Sequence, residues 1–575
     1  MSHIRIAMAQ INVVVGDIDG NTRKVAAGLR RACEVGADLV LFPEMTIPGY
    51  PPEDLLLKPS FLRANLDAVR SLTPLTKGIT AIVGFADVGD DVSNAAAIFH
   101  DGQWAHTYHK HYLPNYGVFD EDRYFRPGSD IGVLRRGDLT LGVSICEDIW
   151  YPAGPPEVQA LDGGARLLVN ISASPYHAGK GDAREQMLRT RASDNAAIVA
   201  FCNLVGGQDE LVFDGRSAIF SERGAVLALG KQFEEDFIVA DVDTDAVLRW
   251  RLREPRHRKV EPRPLPVVEL PAIQHPEAPD RPRLSPHLNE PLPHLAEVYR
   301  ALTLGLRDYA HKNGFKKVVL GVSGGVDSSL VACIAADALG PENVTGLSMP
   351  SRYTADMSND DAAALARSLG IHHMAIPIEG VFAAYLEALA APFEECEADG
   401  TEENIQARIR GNLWMALSNK FGWLVLTGGN KSEMAVGYAT LYGDMAGGYA
   451  VIKDVFKDTV YALARWRNTQ GPAPVIPERV LTRAPSAELR PNQKDSDSLP
   501  EYAILDPILR AYIEEDKAPE DIVRELDVPE ALVLRVVRMV DRAEYKRRQA
   551  PPGVRITTRA FGKDWRPPIT QRFTP

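Results

Sequence analysis

Short apolar runs recur through the first half of the chain, each followed by a polar loop and a stretch with helical spacing: Ile4 to Ala9, Leu39 to Phe42, Ala81 to Ala86, Leu139 to Ile145, Leu167 to Ile171 and Ala197 to Leu204. Strands apolar at almost every position are buried on both faces, as in the central layers of an α/β fold. Asn21 is placed to cap a helix carrying Val25, Leu29 and Cys33 at i, i+4 and i+8, a spacing that makes Cys33 a core residue. Asp101-Gly102, between Ala95–His100 and Gln103–His109, signals a hairpin and adds antiparallel character. The pattern then breaks: 11 of the 41 prolines lie between Arg253 and Leu295. Each fixes φ and removes a donor, so neither a helix nor a central strand can run through, and an extended strap across the surface between two domains is expected. Beyond it, a helix around Leu295 to Asn313 precedes the strand Lys317 to Val322, a glycine-rich turn and a helical run to Leu339. A doubly wound parallel sheet fits this order.

These breaks divide the 575 residues into 1–265, a proline-rich linker at 266–292, and 293–575. With 64 Lys plus Arg against 77 Asp plus Glu, the formal charge is -13, so no whole-chain field attracts a phosphate backbone or an anionic membrane. Nucleic acid and membrane partners are therefore not expected. The five cysteines are odd in number and form no CxxC pair, which argues against a disulfide framework or a zinc site and for a reducing cytoplasm. The first ten residues alternate like a strand, and no apolar run approaches the ~18 residues of a membrane helix, so neither export nor membrane spanning is expected.

Three reactive side chains stand at strand ends in the first half: Glu44 in LFPEM, Lys110 in HKHYLP and Cys146 in ICEDIW. A thiol needs a base to become a nucleophile, and an ammonium can stabilise the oxyanion formed when a thiolate attacks an amide carbonyl. Taken singly, each residue is more often structural. Together their segments resemble the nitrilase superfamily over roughly residues 1–265, and PEMTIPGYPP, LPNYGVFDE and the stretch from Asn170 to Lys180 look like the glutaminase domain fused to NAD synthetases. The resemblance implies an α-β-β-α sandwich in which Glu44 is the general base, Lys110 the oxyanion stabiliser and Cys146 the nucleophile. It also implies that Tyr116, Ser174 and Lys180 contact glutamine. Glu147 and Asp148 are read as structural carboxylates.

In the second half, Gly321-Val322-Ser323-Gly324-Gly325-Val326-Asp327-Ser328-Ser329 joins a strand to a helix. Such a turn aims free amides and the positive helix end at an anion, and its glycines allow close approach of a phosphate. No Lys follows as in a Walker loop. The serines can donate to phosphate oxygens, and Asp327 offers a hard oxygen for Mg²⁺. The motif resembles the ATP pyrophosphatase family, which implies a Rossmann-like sheet domain, ATP as co-substrate and cleavage between its α and β phosphates. Five further segments, ENIQARIRG, TGGNKSE, YGD, APSAEL and YKRR, look like NAD synthetase segments in that family's order. By that resemblance Asn404, Arg408, Glu433 and Lys546 contact deamido-NAD, and Glu433 joins Asp327 at Mg²⁺. One departure stands out: where the family commonly has a threonine touching ATP, this chain has Gly428, with the hydroxyl at Thr427.

Together the halves resemble the glutamine-dependent NAD synthetase family. The implied reaction releases ammonia from glutamine and amidates deamido-NAD at the expense of ATP, in a homo-oligomer whose ammonia travels from Cys146 to the Ser323–Asp327 loop unprotonated. A different nucleotide or tRNA acceptor is the alternative, against which the charge speaks. A catalytically dead docking protein is a second alternative; it would need none of Glu44, Lys110 and Cys146.

Overall fold

A computed structural model describes residues 3–254, 259, 261–273 and 284–573. They form two compact units, Met1–Gln208 with Val212–Pro293, and Asp209–Leu211 with His294–Pro575.

The first unit holds two large sheets. One has six strands in the order Asp236–Asp243, His3–Gln10, Leu39–Leu41, Thr80–Val88, Val92–His100 and Gln103–His109. The other has seven, in the order Val226–Leu229, Ala218–Phe220, Ile198–Asn203, Leu167–Ser172, Leu139–Ile145, Val133–Arg136 and Val267–Glu269. Alternation along the strands decides the layering. Ile4, Ile6 and Met8 of the first sheet share a core with Leu141, Val143 and Ile145 of the second. Ala7 and Ala9 point the other way, into a core with Val25 and Leu29 of the helix Ile18–Glu34 and Val69 of the helix Pro59–Leu72. The outer face of the second sheet packs on Leu188 and Ala192 of the helix Lys180–Asp194. The layers therefore run helix, sheet, sheet, helix. The hairpin at Asp101-Gly102 forms as expected, with φ of 46° and 77°.

The helix Ile18–Glu34 departs from expectation twice. Asp17 caps it, accepting the Gly20 N–H, while Asn21 lies buried in the first turn and bonds Val14 and Ile47. Cys33 is exposed and Ala32 takes the inner position. A residue at i+8 has turned about 80° away from i, whereas i+7 is within about 20° of it. The proline-rich stretch is more than a strap: Val267–Glu269 pairs in parallel with Val133–Arg136 at one edge of the seven-stranded sheet, and Leu288 bridges Leu229 at the other. Prolines bracket these residues rather than interrupt them, which an edge strand tolerates. Residues 274–283 of that stretch lie outside the described residues.

The second unit is built on five parallel strands in the order His372–Ala375, Val344–Ser348, Val318–Gly321, Leu424–Thr427 and Tyr449–Ala450. The chain winds outward from the central strand in both directions, so the turn after Gly321 opens at the switch point, where such sheets bind ligands. Val319, Leu347 and Val425 pack on Phe382, Ile405 and Ile409 from the helices Glu379–Leu389 and Gly400–Phe421. The helix Val326–Leu339, buried along most of its length, packs against His294–Lys312.

Candidate functional site

In the first unit, Cys146 begins a short 3₁₀ turn directly after the strand Leu139–Ile145. Its φ of 40° is a left-handed backbone that a non-glycine residue adopts only when its surroundings impose it. Asp148 does this by accepting the Ile145 N–H, together with the N–H groups of His111 and Tyr112 and the Tyr108 hydroxyl. Glu44 lies in the turn after Leu39–Leu41. That turn packs so closely on Gly84 that a Cβ there would sit 2.4 Å from Pro43 O and Met45 N.

Lys110 is fully buried, and its Nζ donates to Glu44 Oε1 at 2.8 Å and to both oxygens of Glu121 at 2.9 and 2.8 Å. Asn94 Nδ2 also donates to Glu44 Oε1, at 2.7 Å, and the Ala173 N–H donates to Oε2 at 2.8 Å. Burial alone would lower the Lys110 ammonium's pKa, but the Glu121 and Glu44 carboxylates outweigh it and hold the value well above the usual one. Burial pushes the Cys146 thiol up, Glu44 adds to this and Lys110 opposes it. Burial likewise raises Glu121 to about 7, with Lys110 opposing and Glu44 adding. The thiol is thus held protonated until a base takes its proton, beside a fixed cation.

Of the residues expected at glutamine, Tyr116 is exposed and donates to Glu147 Oε1 at 3.0 Å. The buried Ser174 gives its N–H to Asn203 Oδ1, and Lys180 Nζ bonds Pro175 O and lies 5.9 Å from the Trp150 ring centroid. Sequence reasoning missed Glu121 as a site residue. Its segment, LPNYGVFDE, was in view, but only the fold brings it onto Lys110.

In the second unit, Gly324 has φ 76°, and a Cβ there would lie 2.4 Å from Ser358 O. The loop is held from inside and outside. Ser323 Oγ lies 3.2 Å from Ser328 Oγ, Ser329 Oγ donates to Gly325 O at 2.7 Å, and Arg483 donates to Gly324 O at 3.0 Å. A cavity of about 290 Å³ opens beside it, lined among others by Ser323, Asp327, Leu347, Met349, Trp414 and Thr427. Gly428 lines it too, and nothing stands within 4 Å of where its Cβ would be.

Asp327 accepts from Asn430 Nδ2 at 2.9 Å and from Lys457 Nζ, which also reaches Glu433 Oε1 at 3.2 Å. Burial would lower the Lys457 ammonium's pKa, but Asp327 and Glu433 raise it. The convergence of two carboxylates on one ammonium shows a point where a cation is held by oxygens, and hard carboxylate donors beside the glycine-rich loop suit Mg²⁺. The residues fit that ion. Lys457 carried no local signal: it opens an ordinary helix, Lys457–Asn468, and Asp327 lies 130 positions away. Asn404, Arg408 and Lys546 converge instead on the segment 437–441. Asn404 Oδ1 accepts from Thr440, Arg408 donates to Leu441 O, and Lys546 donates to the carbonyls of Gly437 and Ala439.

The carbon-nitrogen hydrolase family model matches residues 5–252, and the NAD synthase model matches residues 298–550. A glutamine-dependent NAD(+) synthetase of Thermotoga maritima is 52% identical over 100% of this chain and 99% of its own. That of Aquifex aeolicus is 48% identical over 99% of this chain and 100% of its own. The solved structure of glutamine-dependent NAD+ synthetase from Acinetobacter baumannii with ADP is 40% identical, covers 99% of this chain and 98% of that one, and superimposes with a TM-score of 0.75. With both family models matched in order and such identity carried end to end, the chain belongs to the glutamine-dependent NAD(+) synthetases.

Proposed function

We propose that the first unit frees ammonia from glutamine through a thioester and that the second uses ATP to turn deamido-NAD into NAD. The observation that carries this is the presence, in one chain, of a buried Glu44–Lys110 pair at the Cys146 site and of a glycine-rich loop facing a cavity between parallel strand ends. Cys146 Sγ attacks the glutamine side-chain amide carbon while Glu44 takes the thiol proton. The oxyanion formed faces Lys110. The proton then passes to the amide nitrogen, the C–N bond breaks and ammonia leaves; water attacks the thioester, freeing glutamate and returning the thiol. Tyr116, Ser174 and Lys180 hold the substrate's amino-acid end.

In the second unit the nicotinate carboxylate of deamido-NAD attacks the α-phosphorus of ATP, expelling pyrophosphate, and ammonia displaces AMP to give the amide. The loop from Gly321 to Ser329 cradles phosphates with amides and hydroxyls. Asn404, Arg408 and Lys546, bonded to the segment 437–441, shape the deamido-NAD side. Mg²⁺, when bound, offsets phosphate charge, and Asp327 and Glu433 are the residues that would hold it. The five free cysteines support a reducing compartment, so we place the enzyme in the cytoplasm, as a homo-oligomer in keeping with the family.

NAD formation from deamido-NAD, ATP and Mg²⁺, with glutamine or ammonium as donor, tests the reading. Cys146→Ala is expected to abolish the glutamine-supported reaction and to leave the ammonium-supported one intact. A parent enzyme that makes NAD from neither donor while still splitting ATP to AMP would overturn the choice of acceptor.

A further inference from the structure

Asn94 is out of place by composition. It sits in the strand Val92–His100 immediately before the buried residues Ala95, Ala96, Ala97, Ile98 and Phe99, and it is itself wholly buried. Asparagine is depleted from strands, and burying an amide is unfavourable unless its groups are bonded. Here only half of it is. Nδ2 donates to Glu44 Oε1 at 2.7 Å, whereas Oδ1 has no partner among the described residues. The amide cannot be turned over to relieve this, because Oδ1 would then face a carboxylate oxygen. An apolar residue would avoid the orphan acceptor, so stability alone does not account for asparagine at this position.

What the residue does hold is the reacting pair. Of the three donors to Glu44 among the described residues, Lys110 is shared with Glu121 and Ala173 is main chain, which leaves Asn94 as the one neutral side chain among them. Its main-chain carbonyl also accepts the Lys110 N–H at 2.9 Å. One residue therefore touches the base with its side chain and the cation's backbone with its own.

We propose that Asn94 is a positioning residue for the glutaminase reaction, holding Glu44 aimed as it takes the Cys146 proton. The inference rests on Glu44 being the base. A carboxylate held by a fixed donor keeps one orientation through the step in which the S–H bond breaks and the S–C bond forms. The groups that face Glu44 are Lys110, Glu121, Cys146, Glu147 and the Tyr50 phenol, and substitution at position 94 changes none of them.

The test follows kcat and the KM for glutamine in NAD formation by the full chain, with the ammonium-supported rate as a control on folding. Asn94→Leu removes the donor and is expected to lower the glutamine-supported kcat about ten- to a hundredfold while the KM for glutamine stays within about twofold of the parent. Asn94→Asp replaces the donor with an acceptor facing Glu44 and is expected to lower kcat at least as far as Leu. Asn94→Ser, which keeps a small donor, falls between Leu and the parent. Should Leu or Asp also lose the ammonium-supported rate, the serine variant carries the comparison by itself. A glutamine-supported kcat that is unchanged, or a loss carried by KM alone, overturns the proposal while leaving the base assignment standing. A parent that forms no NAD from glutamine overturns both.

Discussion

The two units each hold a lysine between two carboxylates, and they do so in opposite settings. Lys110 and its partners Glu44 and Glu121 are almost completely withdrawn from solvent, whereas the partners of Lys457, Asp327 and Glu433, keep 21% and 19% of their side-chain surface beside an open cavity. The difference matches the chemistry proposed for each. Covalent attack on an uncharged amide gains from fixed charges in a low-dielectric site, where they need no reorganisation as the oxyanion forms. A site for polyphosphate must admit a large anion, so it presents main-chain amides, hydroxyls and a cation at its mouth and stays open.

Exchanging the two lysines for methionine would break the comparison most directly. Lys110→Met is expected to lower glutamine-supported NAD formation about a hundred- to a thousandfold and to spare the ammonium-supported rate. It also leaves Glu44 and Glu121 facing each other without a cation, which should cost about 3–5 kcal/mol in denaturant unfolding. Lys457→Met should lower both rates together while Cys146 still reacts with a glutamine-like electrophile. A variant of Lys457 that loses only the glutamine-supported rate would contradict the division of labour.

A smaller effect should appear in pH dependence. Glu121, raised to about 7 by burial, binds a proton in the folded state over a range where the unfolded chain, with an ordinary carboxyl, has released it. Folding is then favoured below the unfolded value, and that contribution is lost as pH rises from about 4.5 to about 7. Glu121→Gln should flatten this decline by on the order of 1–3 kcal/mol in chemical denaturation at pH 5 and pH 7.5, since glutamine can still accept from Lys110. An unchanged slope would place the excess proton elsewhere in the cluster. At the small end, Cys33→Ser should shift stability by less than about 0.5 kcal/mol, because its side chain faces solvent.

Cys33 also shows where sequence reading reaches its limit. Strands such as Leu139–Ile145 and Leu167–Ser172 were legible because every position except the half-buried Thr140 is buried, so no phase had to be guessed. Along the first helix the phase mattered, and spacing by fours drifted off the buried face after two turns. The glycine loop was legible as a strand-to-helix turn because the strand, turn and helix that form it are contiguous. Glu121 and Lys457 were not, because each matters through partners that the fold supplies: Glu121 lies 11 residues from Lys110, and Lys457 lies 130 from Asp327. Asn94 was hidden more deeply, as a polar residue in an apolar run with no motif around it.

The proline-rich stretch also bears on the chain's behaviour while it folds. Because Val267–Glu269 and Leu288 lie along the two outer strands of the seven-stranded sheet, they occupy hydrogen-bonding edges that would otherwise be open to strands of other molecules. A polypeptide ended after residue 265 would retain the Glu44–Lys110 pair and Cys146 but expose both edges. Its weakness would be aggregation rather than lost chemistry, and extending it through Asn289 would restore the cover.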